Sequence, residues 1–296
     1  MAWSSFADLA DAAKSTGSLA QAVIQRESEE TGTPTAELRM RMREALRVMR
    51  AAVKRGLDGD AHSLSGQVGG DAARLAARSS GIFAEALAAA LAAAEVNASM
   101  GRVVAAPTGG ASGVVPAVLL TFAEHYAKSE DDLVDALFTA GGVGSIIAAR
   151  GTLSGASGGC QAEIGSATAM AAAAGTEMLG GDATRCGHAA ALALQGLLGL
   201  VCDPVGGLVE VPCVVRNATG TAVALAAIEM ALAGISFPIP LDEVIDAQAS
   251  VGSALPLNLR ETARGGLAVT PSACRIVATG PGSAGSTAND DSRGAR

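Results

Sequence analysis

Aromatic residues are nearly missing from this 296-residue chain: one Trp, one Tyr and five Phe, 2% of the whole. Sheets draw on aromatic and β-branched side chains, and no run alternates cleanly between apolar and polar residues, so strand-built folds are disfavoured. Basic excess is absent too. The formal net charge is −8, which leaves little to neutralise a phosphate backbone and argues against a nucleic-acid-binding protein. Histidine is scarce, at His62, His125 and His188 only. No CxxC pair occurs among the five cysteines, against a zinc ribbon or thioredoxin-type motif. Mean hydropathy is +0.35, yet clean apolar spans are lacking. The stretch 189–201 contains Gln195 and the stretch 218–237 contains Glu229, so both read as buried core helices rather than membrane spans of about 20 apolar residues. The opening MAWSSFADLADAAK carries acids early, unlike an export signal, and a cytoplasmic protein is expected.

What is present is alanine, leucine and valine within a 49% hydrophobic content, with 37 glycines. Ala and Leu favour helices. The expectation is an all-α fold, a single compact multi-helix domain over 1–277, long enough to bury a substantial core. Leu38, Met42, Leu46, Met49 and Val53 repeat at helical spacing across 36–55. Arg39, Arg41, Arg43 and Arg47 read as the solvated face of that helix rather than an anion site. Further helices are expected over 80–99, 116–126, 160–179, 183–200, 214–232 and 241–249. Ser129 and Asp132 form a capping pair before LVDALF. Five glycine-rich joints separate the helices: SLSGQVGGD (63–71), APTGGASG (106–113), GTLSGASGG (151–159), DPVGG (203–207) and RGGL (264–267). Glycine admits positive φ and lets a ligand approach the backbone, so these loops read either as ordinary turns or as loops converging on a site. The segment 278–296, rich in Gly and Ser, reads as a disordered tail.

The cysteines stand at 160, 186, 202, 213 and 274. With no export signal, metal binding or catalysis is a better reading than disulfides. Cys160 follows GASGG and opens a helix, where the helix dipole favours a thiolate. Cys202 precedes Asp203-Pro204, and Cys213 follows Pro212 just before another helix. Cys186 and Cys274 sit in ordinary surroundings. Taken singly, any of the five reads equally as a small buried hydrophobe, and spacing alone does not define a metal site.

Five blocks carry a more specific signal: SGQVGGDA (65–72), MGRVVAAPTGGASGVVPAVL (100–119), SGASGGCQAEIGSATAMAAAA (154–174), LGLVCDPVGGLVEVPCVVRNA (198–218) and LRETARGGLAVTPSA (259–273). Together, in this order, they closely resemble the iron–sulfur-dependent L-serine dehydratases over about residues 35–275. The resemblance implies a [4Fe–4S] cluster held by Cys160, Cys202 and Cys213, with one iron lacking a protein ligand and acting as a Lewis acid on the hydroxyl leaving group. It implies conversion of L-serine to pyruvate and ammonia without pyridoxal phosphate. Cys186 and Cys274 are not expected to ligate.

Substrate contacts implied by the resemblance are Thr108, Gly109, Gly110, Ser112 and Gly113, through backbone N–H groups and hydroxyls facing the serine carboxylate; a plain turn before the Pro116 helix is the alternative. Arg216 and Asn217 read either as carboxylate or cluster contacts or as a structural ion pair. Asp203 is a candidate group beside the cluster or a helix cap, with Arg260 and Glu261 of the same kind. The general base is unassigned: Asp203, His62 and His188 are the candidates, though a lone helical His is more often structural. Members of the family also need a smaller β region carrying a Ser-Ser-His-Thr type motif, which is not found here. A separate β chain and a hetero-oligomer are therefore expected. Two competing functions are a related cluster-dependent cysteine desulfidase and a non-catalytic iron–sulfur sensor; a helical protein with buried free cysteines is the third reading.

Overall fold

The first two helices start where a serine side chain satisfies a free N–H group and stop where glycine takes a left-handed turn. The computed structural model describes residues 3–279. Ser5 accepts from the Asp8 N–H and Ser18 from the Gln21 N–H, which starts α1 (Phe6–Thr16) and α2 (Leu19–Thr31); Gly17 and Gly32, both at positive φ, end them. Then come α3 (Thr35–Leu57), α4 (Asp71–Arg78), α5 (Ile82–Ala98), α6 (Val114–His125), α7 (Glu130–Arg150) and the single turn α8 (Gly155–Gly158). A π-helical turn, Gln161–Gly165, leads into α9 (Ser166–Met178). The chain continues through α10 (Ala183–Gln195), α11 (Cys213–Leu232), α12 (Leu241–Ala254) and α13 (Pro271–Thr279). Among the described residues no β-strand forms, and the all-α expectation holds.

Several boundaries differ from the sequence reading. The stretch before residue 35 holds α1 and α2, and α4 and α13 were also not anticipated. The helix expected over 183–200 ends at Gln195, and beyond it Gly199 turns the chain at φ +83. The helix expected from residue 160 starts with the π turn. Helix α13 runs to Thr279, two residues into the segment read as a tail; 280–296 lie outside the described residues.

The centre is α9, whose residues 166–176 are all buried. It packs against α6, α7, α10 and α11. Its sequence, SATAMAAAAGTEM, has no polar face because it has no solvent-facing side. Small side chains let neighbouring backbones approach closely. At Gly220 of α11 a Cβ would stand 2.7 Å from Thr168 Oγ1 and 2.8 Å from Ile164 Cγ2, so only glycine fits this crossing. A second cluster joins α3, α4 and α5 through Val53, Ala72 and Ala89 to Ala94.

Helix α7 is long and apolar enough to cross a membrane by composition, but 67% of its apolar window is buried inside the protein. Its Ser129–Asp132 capping box forms as expected. Acids near its start meet α3: Arg43 reaches Asp131 at 2.6 Å, Arg50 reaches Glu130 at 3.0 Å, and Arg39 pairs with Asp135. Part of the arginine face of α3 is therefore an inter-helix contact, while Arg41 and Arg47 pair within their own helix.

One carboxylate joins three core helices. Glu177 of α9 accepts the Leu19 N–H at 2.6 Å and the Thr139 hydroxyl, so it caps α2 and ties α7 to α9. Burial pushes its pKa up. Removing it by Glu177→Ala leaves the buried Leu19 N–H unpaired and leaves the Thr139 hydroxyl only the longer bond to Asp135 O, and we expect a loss of about 1–3 kcal/mol in unfolding free energy by urea titration. Glu177→Gln, which keeps an acceptor, should lose less.

Candidate functional site

Three helices that pack against one another, α6, α9 and α11, begin in the same region, and each beginning carries residues singled out from the sequence. Loop 106–113 leads into α6. Cys160 precedes the π turn that opens α9. Cys213 is the first residue of α11. Helix N-termini carry partial positive charge and free N–H groups, so this arrangement favours anions.

Cys202 reaches the same place through backbone lacing. The Gln161 N–H donates to Leu200 O at 2.9 Å, and the Gly199 N–H donates to Gln161 Oε1 at 2.8 Å. Arg216, one turn into α11, donates from Nη1 to Val201 O at 2.9 Å. The Val205 N–H donates to Val211 O at 2.8 Å and closes the loop between Cys202 and Cys213. On the far side, Cys202 N–H donates to Leu259 O, and Glu261 N–H to Cys202 O.

Cys160 and Cys202 are 3% and 2% exposed, and Cys213 is partly exposed. Burial raises all three thiol pKa values. Cys160 is pushed up to about 11, with the Arg216 guanidinium pulling the other way. Cys213 is pushed up to about 12, again by burial first, then by Cys160. Cys202 is raised further, by burial and then by Cys160, Glu163, Glu261 and Cys213. The three thiols thus share one electrostatic neighbourhood. Cys186 is buried on α10, its thiol facing Gly181 O, and Cys274 is exposed on α13. Among the described residues no three His, Cys, Asp or Glu side chains converge on a point where one metal ion would sit.

Asn217 is fully buried, and both of its amide hydrogens are engaged, to Gly110 O at 2.8 Å and Cys213 O at 3.0 Å; its Oδ1 accepts the Gly113 N–H at 2.9 Å. It clamps loop 110–113 to the start of α11. Within that loop the Ala111 and Ser112 N–H groups donate to Thr108 O and Gly109 O. Thr108 Oγ1 and Ser112 Oγ are buried without a well-formed hydrogen bond. Arg216 Nη2 lies 2.8 Å from Asp203 Oδ1. Asp203 is itself 3% exposed, and its Oδ2 accepts the Leu267 N–H at 2.7 Å. Asp203 and Arg216 therefore brace the loop around Cys202. Arg260 caps the end of α12 through Leu255 O and Ser253 O.

The candidate histidines are engaged elsewhere. His62 is exposed with its ring against Gly69, and His188 Nδ1 accepts the Phe237 N–H at 3.2 Å. Neither hydrogen-bonds to a cysteine of the group among the described residues. Two acids that sequence reasoning passed over stand close by. Glu210 is buried and accepts the Ser65 hydroxyl, which ties loop 63–71 to the Cys202–Cys213 loop. Glu163 lies in the π turn, three residues after Cys160. The one signal available for it was the (i, i+3) spacing that puts Cys160 and Glu163 on one side of a helix.

The thiol shifts set a pH dependence for the chain by itself. An ordinary thiol ionises near 9.0, whereas folded Cys160 holds its proton to about 11 and Cys213 to about 12. Between these values the unfolded state binds fewer protons than the folded one, so this stability is present below pH 9 and is lost as pH rises. We expect the melting temperature to fall steadily from pH 8.5 to pH 10.5, read by differential scanning calorimetry. A Cys160→Ser, Cys213→Ser double variant should show a shallower slope.

The comparisons with known proteins bear on the same residues. The family model described as serine dehydratase alpha chain matches residues 14–268. The chain is 46% identical over 260 residues to a probable L-serine dehydratase, alpha chain, of Bacillus subtilis, covering 86% of each chain. It is 50% identical over 190 residues to a probable L-serine dehydratase, alpha chain, of Latilactobacillus sakei, covering 64% of this chain and 91% of the relative. An L-serine dehydratase of Streptomyces coelicolor is 40% identical over 273 residues, which cover 88% of this chain and 60% of that longer protein. A match across most of its length, taking in all the segments that form the cysteine site, shows that the chain belongs to the serine dehydratase alpha chain family.

Proposed function

We propose that this chain is the catalytic α chain of an L-serine dehydratase, a lyase that converts L-serine to pyruvate and ammonia without pyridoxal phosphate. Cys160, Cys202 and Cys213 hold a [4Fe–4S] cluster in this reading. The observation that carries it is the gathering of three thiols from distant segments at the shared beginning of three helices. The donor chemistry fits the group. Soft thiolates are the usual ligands of iron–sulfur clusters. Helix N-termini and Arg216 offset the negative charge that three thiolates bring.

When bound, such a cluster with an open iron supplies a Lewis acid for the hydroxyl leaving group. The chain's own residues do the rest. The Gly109 and Gly110 N–H groups have no hydrogen-bond partner among the described residues, and the Thr108 and Ser112 hydroxyls are likewise unsatisfied. These groups face the substrate carboxylate in this reading, next to the N-terminus of α6. Asn217 keeps the loop in register with Cys213. Asp203 and Arg216 hold the Cys202 segment rigid.

A separate β chain completes the enzyme. In support, the chain covers 86% of the Bacillus relative named as an alpha chain, but only 60% of the Streptomyces protein and 40% of an Escherichia coli L-serine dehydratase, neither named as one chain of two. A hetero-oligomer follows, in a reducing compartment such as the cytoplasm, where thiolates stay free for iron.

The deciding experiment is anaerobic reconstitution with iron and sulfide, followed by pyruvate assay with and without the β chain. We expect broad visible absorbance from a thiolate-bound cluster and β-dependent turnover of L-serine. Cys160→Ser, Cys202→Ser and Cys213→Ser should each abolish absorbance and turnover together, while Cys186→Ala keeps both. A cluster without turnover would point to a sensor, and turnover of L-cysteine in place of L-serine to a desulfidase.

A further inference from the structure

Glu163 is a largely buried carboxylate to which the reading above gives no task. One oxygen, Oε2, stands 2.6 Å from where a Cβ on Gly155 would be, and Cys202 Sγ stands 3.0 Å from the same point. Glycine at 155 thus leaves the carboxylate and the thiol facing each other over a bare α-carbon. The other oxygen, Oε1, stands 3.7 Å from the corresponding point on Gly110, with Thr108 Oγ1 at 3.9 Å from it. Glu163 therefore bridges the space between the cysteine group and the loop 108–113.

No cation pairs with Glu163 among the described residues. Its neighbours are the Thr108 hydroxyl, which closes no well-formed hydrogen bond, and the like-charged Glu261. A buried carboxylate without a cationic partner is costly unless a ligand brings the charge. Glu261, which also raises the Cys202 and Cys213 thiols, is exposed.

An amino-acid substrate presents three polar groups. The proposed function assigns the hydroxyl to the cysteine site and the carboxylate to the N–H groups and hydroxyls of loop 108–113. The ammonium group is left, and it requires an anion between those two places. Resting on that reading of the site, we propose that Glu163 binds the α-ammonium group of the substrate and so restricts the enzyme to free α-amino acids over hydroxy acids that lack the amine.

The test uses the α chain loaded anaerobically and combined with its β chain, as wild type and as Glu163→Gln. Calorimetry would follow two ligands: L-alanine, which keeps the ammonium and carboxylate, and 3-hydroxypropanoate, which keeps the hydroxyl and carboxylate. Loss of a charged hydrogen-bonded partner should weaken L-alanine about tenfold or more and raise the KM for L-serine by a similar factor, while 3-hydroxypropanoate binding stays unchanged. Glu163→Asp, which retains the charge, should recover part of the loss, and it carries the test if the Gln variant takes up no cluster. Equal weakening of both ligands would mean a structural role and overturn the proposal. So would a fall in kcat with KM and L-alanine binding unchanged. Failure of the wild-type enzyme to act on L-serine would instead remove the functional reading on which the proposal rests.

Discussion

Close approach of helix backbones is the constraint on which this molecule depends. Without large aromatic side chains to fill space, a core of alanine and glycine reaches interior packing density only if the helices come near enough to touch through small residues. Helix α9 shows the consequence: it is buried on every side, and positions such as Gly220 admit no side chain at all. Packing of this kind fixes where each helix begins. The starts of α6, α9 and α11 fall together, so the site is a product of core packing and not an addition to it.

The same packing creates an electrostatic tension at the site. Burial opposes charge on Cys160, Cys202 and Cys213; Glu163 opposes it further at all three, and Glu261 at Cys202 and Cys213. Three helix N-termini and Arg216 act in the opposite direction. In the chain alone, burial prevails and the thiols are neutral near pH 7. Asp203, Arg216 and Asn217 serve this arrangement by holding the loops: an ion pair braces the Cys202 segment, and one buried amide ties loop 110–113 to Cys213.

Much of the helical frame was legible because its signals are local. The spacing of Leu38, Leu46, Met49 and Val53 marked α3, and the Ser129–Asp132 pair marked the start of α7. The N-terminal helices carried equally local signals, Ser5 before Asp8 and Ser18 before Gln21 with Gly17 and Gly32 closing each helix, and these could have been read in the same way. The end of α10 at Gln195 was not legible, because its apolar pattern continues to Leu200; the chain leaves the helix to bring Cys202 beside Leu259. The three cysteines were picked out by their sequence blocks, whereas Glu163 was hidden inside one of those blocks. Nothing in CQAEIG distinguishes an acid that faces solvent from one that faces a thiol across a glycine.

By itself, then, the sequence determined the helical class, the punctuation between helices and the cysteine-bearing segments, since propensity, capping and motif identity are written in neighbouring residues. Only the tertiary structure decided which polar side chains brace and which remain unpartnered. Asn217 and Asp203 are engaged by backbone groups far away in the chain, while Glu163, Thr108 and Ser112 are left with unmet hydrogen-bonding capacity or charge. The physical reason is that satisfaction of a buried polar group depends on what other elements bring to it, and those elements come from positions tens to hundreds of residues apart.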